Sequence, residues 1–500
     1  MVLRLSAAAV VLVAASALLA TPGQGRPPQK RRHHPRAALA IVPASVRENA
    51  LPGTPGWDGP LAPDGAVDVY ASATDALPGD SVPLHVSTDP AAAYRVLVYR
   101  LGWYGGVGAR QVACLPSCDG EGAGVPLGGG HARADGAWVA EWPVTDTLQV
   151  GADWTSGYYE IRALALSGPY AGQSANTFIV VEAPDSDTAM LMQVPVDTWQ
   201  AYNAWGGSSS YGFPGLGRPL SHLSFDRPYR RDAPGAQGPL GWEYPFVRFV
   251  EANGYDVSYQ SDVYTDAHPE SLLRHRLVAV PGHSEYWTKT MRDAFDAARD
   301  TGVNLAFLGA NAAYWQVKLV DGGRTLIAYK STYDPEPNAA LKTAMFRELI
   351  PPRYECNLIG IQHEGASPFH WGEGDYTVEA PDDPWFAGTG FRPGDAVKGI
   401  VSVESDTIPP LQPAGWSCGN RITVLFHRES GGPFDGNADA TRYTAPSGAI
   451  VFASGSHEFA WGLDGYGREP SRVDARLQQF MRNALDELTS YGRRPRPSPR

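Results

Sequence analysis

The chain has 500 residues, with 53 acidic and 41 basic side chains and a formal net charge of -12. Basic residues are dense only in residues 24–36 and 493–500, so nucleic acid is not an expected partner. No apolar run of about 20 residues, the length that spans a bilayer, follows residue 20. The length suits two or three domains of roughly 150 residues each.

The N-terminus predicts where the protein works. Arg4 precedes a run of small and apolar residues, 7–20, and Thr21, Pro22 and Gly23 follow this run. This layout is typical of a secretory signal peptide. We assign residues 1–25 to this peptide and expect a secreted protein without a membrane span after cleavage; an uncleaved N-terminal anchor is the alternative. Residues 26–44 are basic and proline-rich and predict a disordered tether, and residues 491–500 predict a disordered tail.

The four cysteines are an even number, which suits disulfides in an exported chain. Cys114 and Cys118 are close enough in sequence for a local loop disulfide, and Cys356 and Cys418 would then form a second. Four cysteines allow three pairings, and the sequence does not choose among them. A cysteine zinc site is not expected, because no CxxC-like pair has matching partners.

Residues 45–184 alternate apolar and polar side chains between frequent turn residues, as short antiparallel strands do. Helical periodicity is missing here, so we predict an immunoglobulin- or fibronectin-like β-sandwich. We expect its aromatic residues to lie in the core, with carbohydrate stacking as the alternative. The segments that carry the pattern are VDVYASAT, SVPLHVST, YRVLVYRLGWYGG, WVAEWPV, GYYEIRALA and NTFIVVEA.

Strands that alternate with helices are predicted from residue 185 to residue 490. Such an order predicts a parallel sheet with right-handed crossovers, and therefore an α/β domain. Predicted strands are 189–194, 257–259, 277–280, 303–308, 422–427 and 449–453, and predicted helices are 243–252, 269–274, 288–299 and 473–488.

The stretch from about 316 to 420 is less regular and rich in proline, glycine and aspartate. We interpret it as an insertion that covers the edge of the sheet. Within it, residues 375–379 and 398–404 are predicted to form strands.

Dense polar and aromatic side chains follow three of the predicted strands, in residues 195–211, 281–288 and 454–464. Because the carboxyl ends of parallel strands meet at one edge, we expect these segments to form a single crevice. We expect the substrate to contact Tyr202, Asn203 and Trp287.

The segment GHSEYW offers acid–base chemistry. His283 and Glu285 are general acid and base candidates, because histidine titrates near neutral pH and an aromatic pocket raises the pKa of a glutamate. His457 and Glu458 repeat the pair at another strand end, and we predict that all four residues are catalytic. The alternative is that each pair is a buried contact that stabilises its loop. Ser284 lacks the GxSxG frame of a nucleophile and is interpreted as a turn residue.

Four stretches, GHSEYWT, LAFLGANAAYW, VKGIVSVESD and GSHEFAWGLD, resemble the C-terminal region of the large (beta) subunit of N,N-dimethylformamidase and its exported actinobacterial relatives. Two N-terminal stretches, VRENALPGTPGW and YRLGWYGG, match the exported relatives. The resemblance covers most of the chain after the predicted signal peptide. It implies a glutamine-amidotransferase-like α/β domain, hydrolysis of a small amide and a mononuclear iron held by two tyrosines and a glutamate.

The resemblance also implies which residues hold the metal. Tyr286 falls on the tyrosine of the family's strand-end turn, and Tyr244 is available as the second tyrosine. Glu404 and Glu364 are alternatives for the third ligand, and Glu404 is preferred because it lies in the matching VESD stretch. Hard oxygen donors suit ferric iron, which would polarise an amide carbonyl and lower the pKa of a bound water.

Three functions therefore remain open from the sequence. The first is exported, metal-assisted hydrolysis of an amide or other C–N bond in a small-molecule or cell-envelope substrate. The second is a non-catalytic cell-surface or carbohydrate-binding protein that retains the α/β scaffold. The third is a metal-free hydrolase that uses the two His–Glu pairs.

Overall fold

The structure is a computed structural model, and it describes most of the chain after residue 41. The predicted signal peptide, most of the predicted tether and the predicted C-terminal tail lie outside the described residues. The described ranges are 42–212, 217–230, 240–366, 374–401, 404–409, 418, 421–429 and 436–490.

Short strands dominate the N-terminal part, up to residue 181, as their period-two pattern predicts. They begin after a single described helix, α1 (Ala44–Asn49). The strands are β1 (Val67–Ala71), β2 (Asp75–Ala76), β3 (Ser81–Thr88), β4 (Ala93–Leu101), β5 (Ala109–Leu115), β6 (Gly122–Ala123), β7 (His131–Ala132), β8 (Trp138–Val139), β9 (Asp146–Gln149), β10 (Gly157–Ala165) and β11 (Ser174–Val181).

Two sheets in this part share one apolar core. One sheet has the order β1-β3-β9, and the other has the order β2-β11-β10-β4-β5, with β6 paired to β4. Val69, Val96 and Ile161 belong to the same buried cluster although they come from both sheets. This agrees with two packed β-layers, whereas the immunoglobulin- or fibronectin-like topology stays a prediction. The predicted strand WVAEWPV is reduced to β8, which pairs with β7 and with a strand of the second part.

Strands and helices alternate after residue 189. The elements are β12 (Met190–Val194), α2 (Val196–Tyr202), β13 (Ser208–Ser209), β14 (Arg218–Pro219), β15 (His222–Ser224), α3 (Tyr244–Ala252), β16 (Val257–Ser261), α4 (Asp262–Ala267), β17 (Leu277–Pro281), β18 (Tyr286–Thr288), α5 (Lys289–Asp300), β19 (Asn304–Leu308), β20 (Trp315–Val320), β21 (Thr325–Ile327), α6 (Cys356–Ile359), β22 (Gln362–Ala366), β23 (Gly374–Val378), β24 (Ala396–Val401), β25 (Glu404–Thr407), β26 (Ile422–Arg428), β27 (Ala438–Thr444), β28 (Ile450–Ala453) and α7 (Ala475–Thr489).

The central sheet has nine strands in the order β16-β12-β17-β19-β28-β27-β26-β23-β24. The first five are parallel, as the βα alternation predicts, and β17 is buried along its whole length. The remaining four add antiparallel pairs. Strands β23 and β24 come from the predicted insertion, so the insertion extends the sheet rather than only covering its edge. The fold is therefore mixed α and β, and the glutamine-amidotransferase-like topology stays a prediction.

A capping threonine begins helix α5, and an apolar face packs helix α7 into the core. The Thr288 hydroxyl accepts the backbone N–H of Met291 at 3.1 Å and caps α5. Helix α7 buries Leu477, Phe480 and Leu488. Val473, with which the predicted helix 473–488 begins, lies before α7 and is 40% exposed.

Two glycines allow the ends of β17 and β19 to approach each other. Gly282 has a positive φ of 64°, a conformation that favours glycine. At Gly309 a Cβ atom would lie 1.8 Å from the Gly282 carbonyl oxygen. The two backbones can therefore lie against each other only without a side chain at residue 309, and this contact positions the turn that follows β17.

Two disulfides join Cys114 to Cys118 and Cys356 to Cys418. Of the three possible pairings, this is the one expected if Cys114 and Cys118 form a local loop disulfide. Among the described residues, no helix is both long and apolar enough to cross a membrane. The two disulfides are compatible with a secreted protein.

Candidate functional site

The three polar segments that follow β12, β17 and β28 meet at one place, as the parallel topology predicts. The ring centroids of His283 and His457 are 4.4 Å apart, and those of Tyr202 and His283 are 5.2 Å apart. We refer to the residues gathered here as the polar cluster. Its members are Tyr202, Tyr211, His283, Glu285, Tyr286, Glu404 and His457.

His283 lies between two carboxylates at the centre of the cluster. Its Nε2 is 3.0 Å from Glu404 Oε2 and 3.3 Å from Glu285 Oε2, yet neither ring nitrogen has a hydrogen-bond partner of good geometry among the described residues. Burial opposes the charged imidazolium, but the negative charges of Glu404 and Glu285 prevail and raise the pKa of His283 to about 10. Burial also opposes the charge of Glu404, but His283 and His457 hold its pKa well below the usual range.

His457 approaches the same carboxylate from the other side. Its Nε2 is 3.0 Å from Glu404 Oε2, and its Nδ1 lies 3.2 Å from the backbone nitrogen of Ala310. Since an N–H can only donate, Nδ1 is the acceptor and the proton of the neutral ring sits on Nε2. Burial and the charge of His283 lower the pKa of His457.

Tyrosine hydroxyls hold the second carboxylate, Glu285. Tyr202 donates to Glu285 Oε2 at 2.8 Å, Tyr211 lies 3.0 Å from the same oxygen, and Tyr286 donates to the Tyr211 hydroxyl at 2.6 Å. Burial, reinforced by the charge of Glu285, raises the pKa of all three tyrosines well above the usual value. They therefore act as neutral hydrogen-bond donors. Tyr211 was missed as a site residue, although it closes the polar segment 195–211.

A lysine from the predicted insertion adds a positive charge to the cluster. Lys330 Nζ lies 3.2 Å from the centroid of the Tyr211 ring and 5.1 Å from that of Trp315, within the range of a cation–π contact. Burial lowers the pKa of Lys330 to about 8, against the attraction of Glu285 and Glu404. Nothing in the sequence marks this lysine, because it follows β21 in an irregular stretch.

Two of the residues expected to contact substrate are engaged elsewhere. The Asn203 amide donates to the Pro228 carbonyl at 2.9 Å and accepts the backbone N–H groups of Trp205 and Arg230, so it fixes its own loop. Trp287 lies in the apolar core, 4.5 Å from Phe295 between ring centroids. Of the three expected substrate residues, only Tyr202 lies in the polar cluster.

Glu458, the fourth residue predicted to be catalytic, is fully buried beside His457 in the chain. Burial raises its pKa to about 8. The carboxyl group of Glu458 is therefore neutral below about pH 8, whereas that of Glu404 is charged at neutral pH.

The cluster contains one group of side chains that could bind a metal ion. His283, Glu404 and His457 each offer one ligand atom, and these atoms lie within 4.8 Å of one another. Two imidazoles and a carboxylate are a donor set found in both catalytic zinc and non-haem iron sites.

A family model for the N,N-dimethylformamidase beta subunit-like C-terminal region matches residues 95–473. The chain belongs to this family. A curated relative, the N,N-dimethylformamidase beta subunit of an Alcaligenes species, is 31% identical over 121 residues. That alignment covers 23% of this chain and only 16% of the relative.

Two solved structures are similar to this chain only at low sequence identity and low TM-score. A Ruminococcus gnavus β-glucuronidase bound to a C6-substituted uronic isofagomine covers 49% of this chain and 30% of its own, at 12% identity and a TM-score of 0.15. The same enzyme bound to uronic isofagomine covers 48% of this chain and 28% of its own, at 12% identity and a TM-score of 0.12.

The ligand set expected from the dimethylformamidase resemblance is not brought together. Tyr286 and Glu404 both lie in the polar cluster, but the Tyr244 hydroxyl donates to the carbonyl oxygens of Gly102, at 3.2 Å, and Gly108. This engages Tyr244 with the N-terminal part of the chain. The side chain of Glu364, the alternative third ligand, lies outside the described residues.

Proposed function

We propose that this chain is an exported hydrolase that cleaves an amide or other C–N bond of a small-molecule or cell-envelope substrate at the polar cluster. The observation that carries the proposal is the position of His283 between Glu285 and Glu404 at the carboxyl edge of the parallel strands. Membership of the dimethylformamidase family adds the bond type, since its curated relative is named for an amide substrate.

A metal ion fits the donor set of the cluster. His283, Glu404 and His457 would hold it, because their ligand atoms are close together and both nitrogens of His283 lack a hydrogen-bond partner among the described residues. When bound, such an ion polarises a carbonyl group and lowers the pKa of a water. This donor set mixes nitrogen and oxygen and therefore suits divalent zinc or iron. The two tyrosines and glutamate that the resemblance implies are all oxygen donors and suit ferric iron.

In this proposal Glu285 is the group that moves protons. It lies beside His283 and is oriented by the hydroxyls of Tyr202 and Tyr211. In amide hydrolysis a C–O bond to water forms and the C–N bond breaks, and the proton that leaves the water is delivered to the departing nitrogen. Glu285 would accept that proton and return it, which yields a carboxylic acid and an amine.

One observation favours a metal-free version of the same reaction. The Ala310 N–H fixes the proton of neutral His457 on Nε2, the nitrogen that faces Glu404. A metal ion at that nitrogen would have to displace the proton. In the metal-free version His457 and His283 exchange protons with Glu404 directly.

Metal content and amide turnover of the purified protein test the proposal. For metal-assisted hydrolysis we expect about one zinc or iron per chain, lost in Glu404→Ala and His283→Ala but retained in Tyr286→Phe. The exposed Glu379 provides the matched control, Glu379→Gln. Loss of metal in Tyr286→Phe alone would favour the tyrosine set, and turnover without metal would establish the metal-free version. Absence of turnover across a broad panel of amides would overturn the proposal.

A cleft of about 750 Å³ favours a second candidate function, glycan binding without turnover. Trp205, Asp68, Ser87 and Asp89 line it, and sugars bind to such combinations of an aromatic ring and polar groups. Binding to a glycan panel that is lost in Trp205→Ala, without hydrolysis of any amide, would establish this function instead.

A further inference from the structure

We propose that Lys330 is a catalytic residue that donates a hydrogen bond to the carbonyl oxygen of the scissile amide and stabilises the negative charge that develops on this oxygen. The inference rests on the proposed hydrolase function. It applies to primary, secondary and tertiary amides alike, because all of them carry the carbonyl oxygen. It therefore agrees with membership of a family named for a tertiary amide.

Lys330 lies where solvent reaches the polar cluster. Lys330 and Tyr211, whose ring its ammonium covers, are both partly exposed, whereas His283 and Glu285 are buried. The charge of Lys330 interacts with the carboxylates of Glu285 and Glu404. A substrate that enters the cluster from solvent can therefore contact this side chain.

Aromatic rings hold the Lys330 ammonium in place. Its Nζ lies 3.2 Å from the ring centroid of Tyr211, 5.1 Å from that of Trp315 and 5.7 Å from that of Tyr286. A ring face attracts the positive charge, but it offers no oxygen lone pair to the N–H groups. The ammonium is thus positioned while its hydrogen-bond donors stay available to a ligand.

The hydrogen bonds of the cluster leave Lys330 as the charged donor that an entering ligand can reach. No described residue accepts a hydrogen bond from its ammonium or forms an ion pair with it, and Glu285 and Glu404 attract it only from a greater distance. The tyrosine hydroxyls of the cluster already donate to Glu285 or to one another. Both histidines face Glu404 and are buried.

The backbone at Lys330 is held in a costly conformation. Its φ is +56°, in the left-handed region that residues other than glycine seldom enter. Thr343 fixes the backbone on both sides: the Tyr329 N–H donates to Thr343 Oγ1 at 2.9 Å, and the Ser331 N–H donates to the Thr343 carbonyl at 3.1 Å. Strained residues that their neighbours hold in place are common at functional sites, which supports a functional role for this side chain.

The charge of Lys330 matches what the reaction demands. When the water oxygen bonds to the carbonyl carbon, the π electron pair of the C=O bond moves onto the oxygen, and it returns when the C–N bond breaks. The ammonium would donate to this oxygen in both steps and keep its own proton, while Glu285 moves the proton of the water. Tyr211 brings the two groups together, because its ring face contacts Nζ and its hydroxyl lies 3.0 Å from Glu285 Oε2.

Lys330→Met tests this role, because methionine has a similar length but neither charge nor N–H. With acetamide and N,N-dimethylformamide as substrates, we expect kcat to fall about 10²- to 10³-fold, while KM changes less than about threefold. Lys330→Arg keeps the charge and the donors and should recover about tenfold or more of this loss. Lys398 is 78% exposed and provides the matched control, Lys398→Met, which should leave both constants unchanged.

Methylphosphonate separates a catalytic from a structural role, because this tetrahedral anion resembles the intermediate formed when water adds to acetamide. In NMR titrations we expect Lys330→Met to weaken methylphosphonate binding about tenfold or more and acetamide binding less than about twofold. Unchanged kcat in Lys330→Met, or equal weakening for the anion and the amide, would overturn the inference. If the unaltered protein cleaves no amide, the proposed function fails and the titrations alone decide the inference. Selective loss of methylphosphonate binding in Lys330→Met then supports it, and equal or absent binding overturns it.

Discussion

The backbone N–H of Ala310 donates to Nδ1 of His457 at 3.2 Å and thereby directs the other ring nitrogen at Glu404. Both partners are buried, so water cannot replace the contact. The tautomer of His457 is therefore set by the backbone that follows β19, a separate strand of the central sheet.

Replacement of His457 by glutamine tests this relationship. The glutamine amide would keep an N–H near Glu404, but it cannot take up or release a proton. We expect activity to fall by about 10²- to 10⁴-fold, as for the loss of a general acid or base. We also expect the free energy of unfolding to fall by about 1–3 kcal/mol, because the buried Ala310 N–H loses its acceptor. Amide turnover and urea denaturation measure the two effects.

His427→Gln is the control for this substitution, because His427 pairs with Asp439 at 2.7 Å outside the polar cluster. It should alter stability without a comparable loss of turnover. Full activity in His457→Gln would contradict a role for His457 in proton transfer.

Glu243 predicts a pH dependence of stability. It is buried, its Oε1 accepts the Trp199 indole N–H at 3.2 Å, and burial raises its pKa from 4.5 to about 7. The folded protein therefore holds this proton more tightly than the unfolded chain does. The contribution to stability is complete below about pH 4.5, and about 3 kcal/mol is lost as pH rises through 7.

Glu243→Gln isolates this contribution from that of Glu458, whose raised pKa acts in the same direction. The difference in unfolding free energy between the unaltered protein and Glu243→Gln should shift by about 3 kcal/mol between about pH 4.5 and about pH 8, in favour of the variant at the higher pH. The exposed Glu379→Gln should show no such shift. Parallel pH profiles for Glu243→Gln and the unaltered protein would show that Glu243 titrates normally.

Local sequence patterns predicted the frame of the site but not all of its contents. An apolar run followed by polar residues identifies a strand end without reference to other parts of the chain. The sequence therefore predicted that His283 and His457 lie at strand ends that meet, and their ring centroids are 4.4 Å apart. Lys330 was missed because it has a positive φ in irregular backbone, where side-chain periodicity carries no information.

Spacing alone also failed to say which way a side chain faces. Tyr244 lies at the start of α3, where either side of the helix could have faced the strand ends. The contact of its hydroxyl with Gly102 and Gly108 depends on how the N-terminal strands lie against α3. Trp287 likewise follows Tyr286 in a strand, and alternate residues of a strand point to opposite faces.

Gly309→Ala tests whether the close approach of β17 and β19 is required. The added methyl group would lie 1.8 Å from the Gly282 carbonyl oxygen, and backbone on both sides cannot yield cheaply. We expect a loss of several kcal/mol in unfolding free energy, about 3 or more, or failure to fold. Gly129→Ala is the control, because no atom lies within 4 Å of its added Cβ. A Gly309→Ala protein with an unchanged thermal midpoint would contradict the geometry of this strand-end contact.

The buried ion pair between Arg100 and Glu251 joins β4 to α3. Arg100 donates to both carboxylate oxygens, at 2.7 and 3.2 Å, and both side chains are fully buried. Glu251→Gln would leave the guanidinium without a counter-charge in a site that water does not reach. We therefore expect a loss of about 3–5 kcal/mol in unfolding free energy, measured by chemical denaturation.

The exposed pair Lys289 and Asp293 provides the matched comparison, since its side chains are 48% and 47% exposed. Lys289→Gln should cost less than about 1 kcal/mol, because solvent screens the pair. Glu251 lies in α3, which begins one residue after Glu243. The Glu243 side chain lies against Gly282, in the turn before His283. Glu251→Gln should therefore also lower amide turnover at temperatures where the variant remains folded. Equal costs for the two substitutions would show that water reaches Arg100, and that the N-terminal strands are not fixed to α3 through this pair.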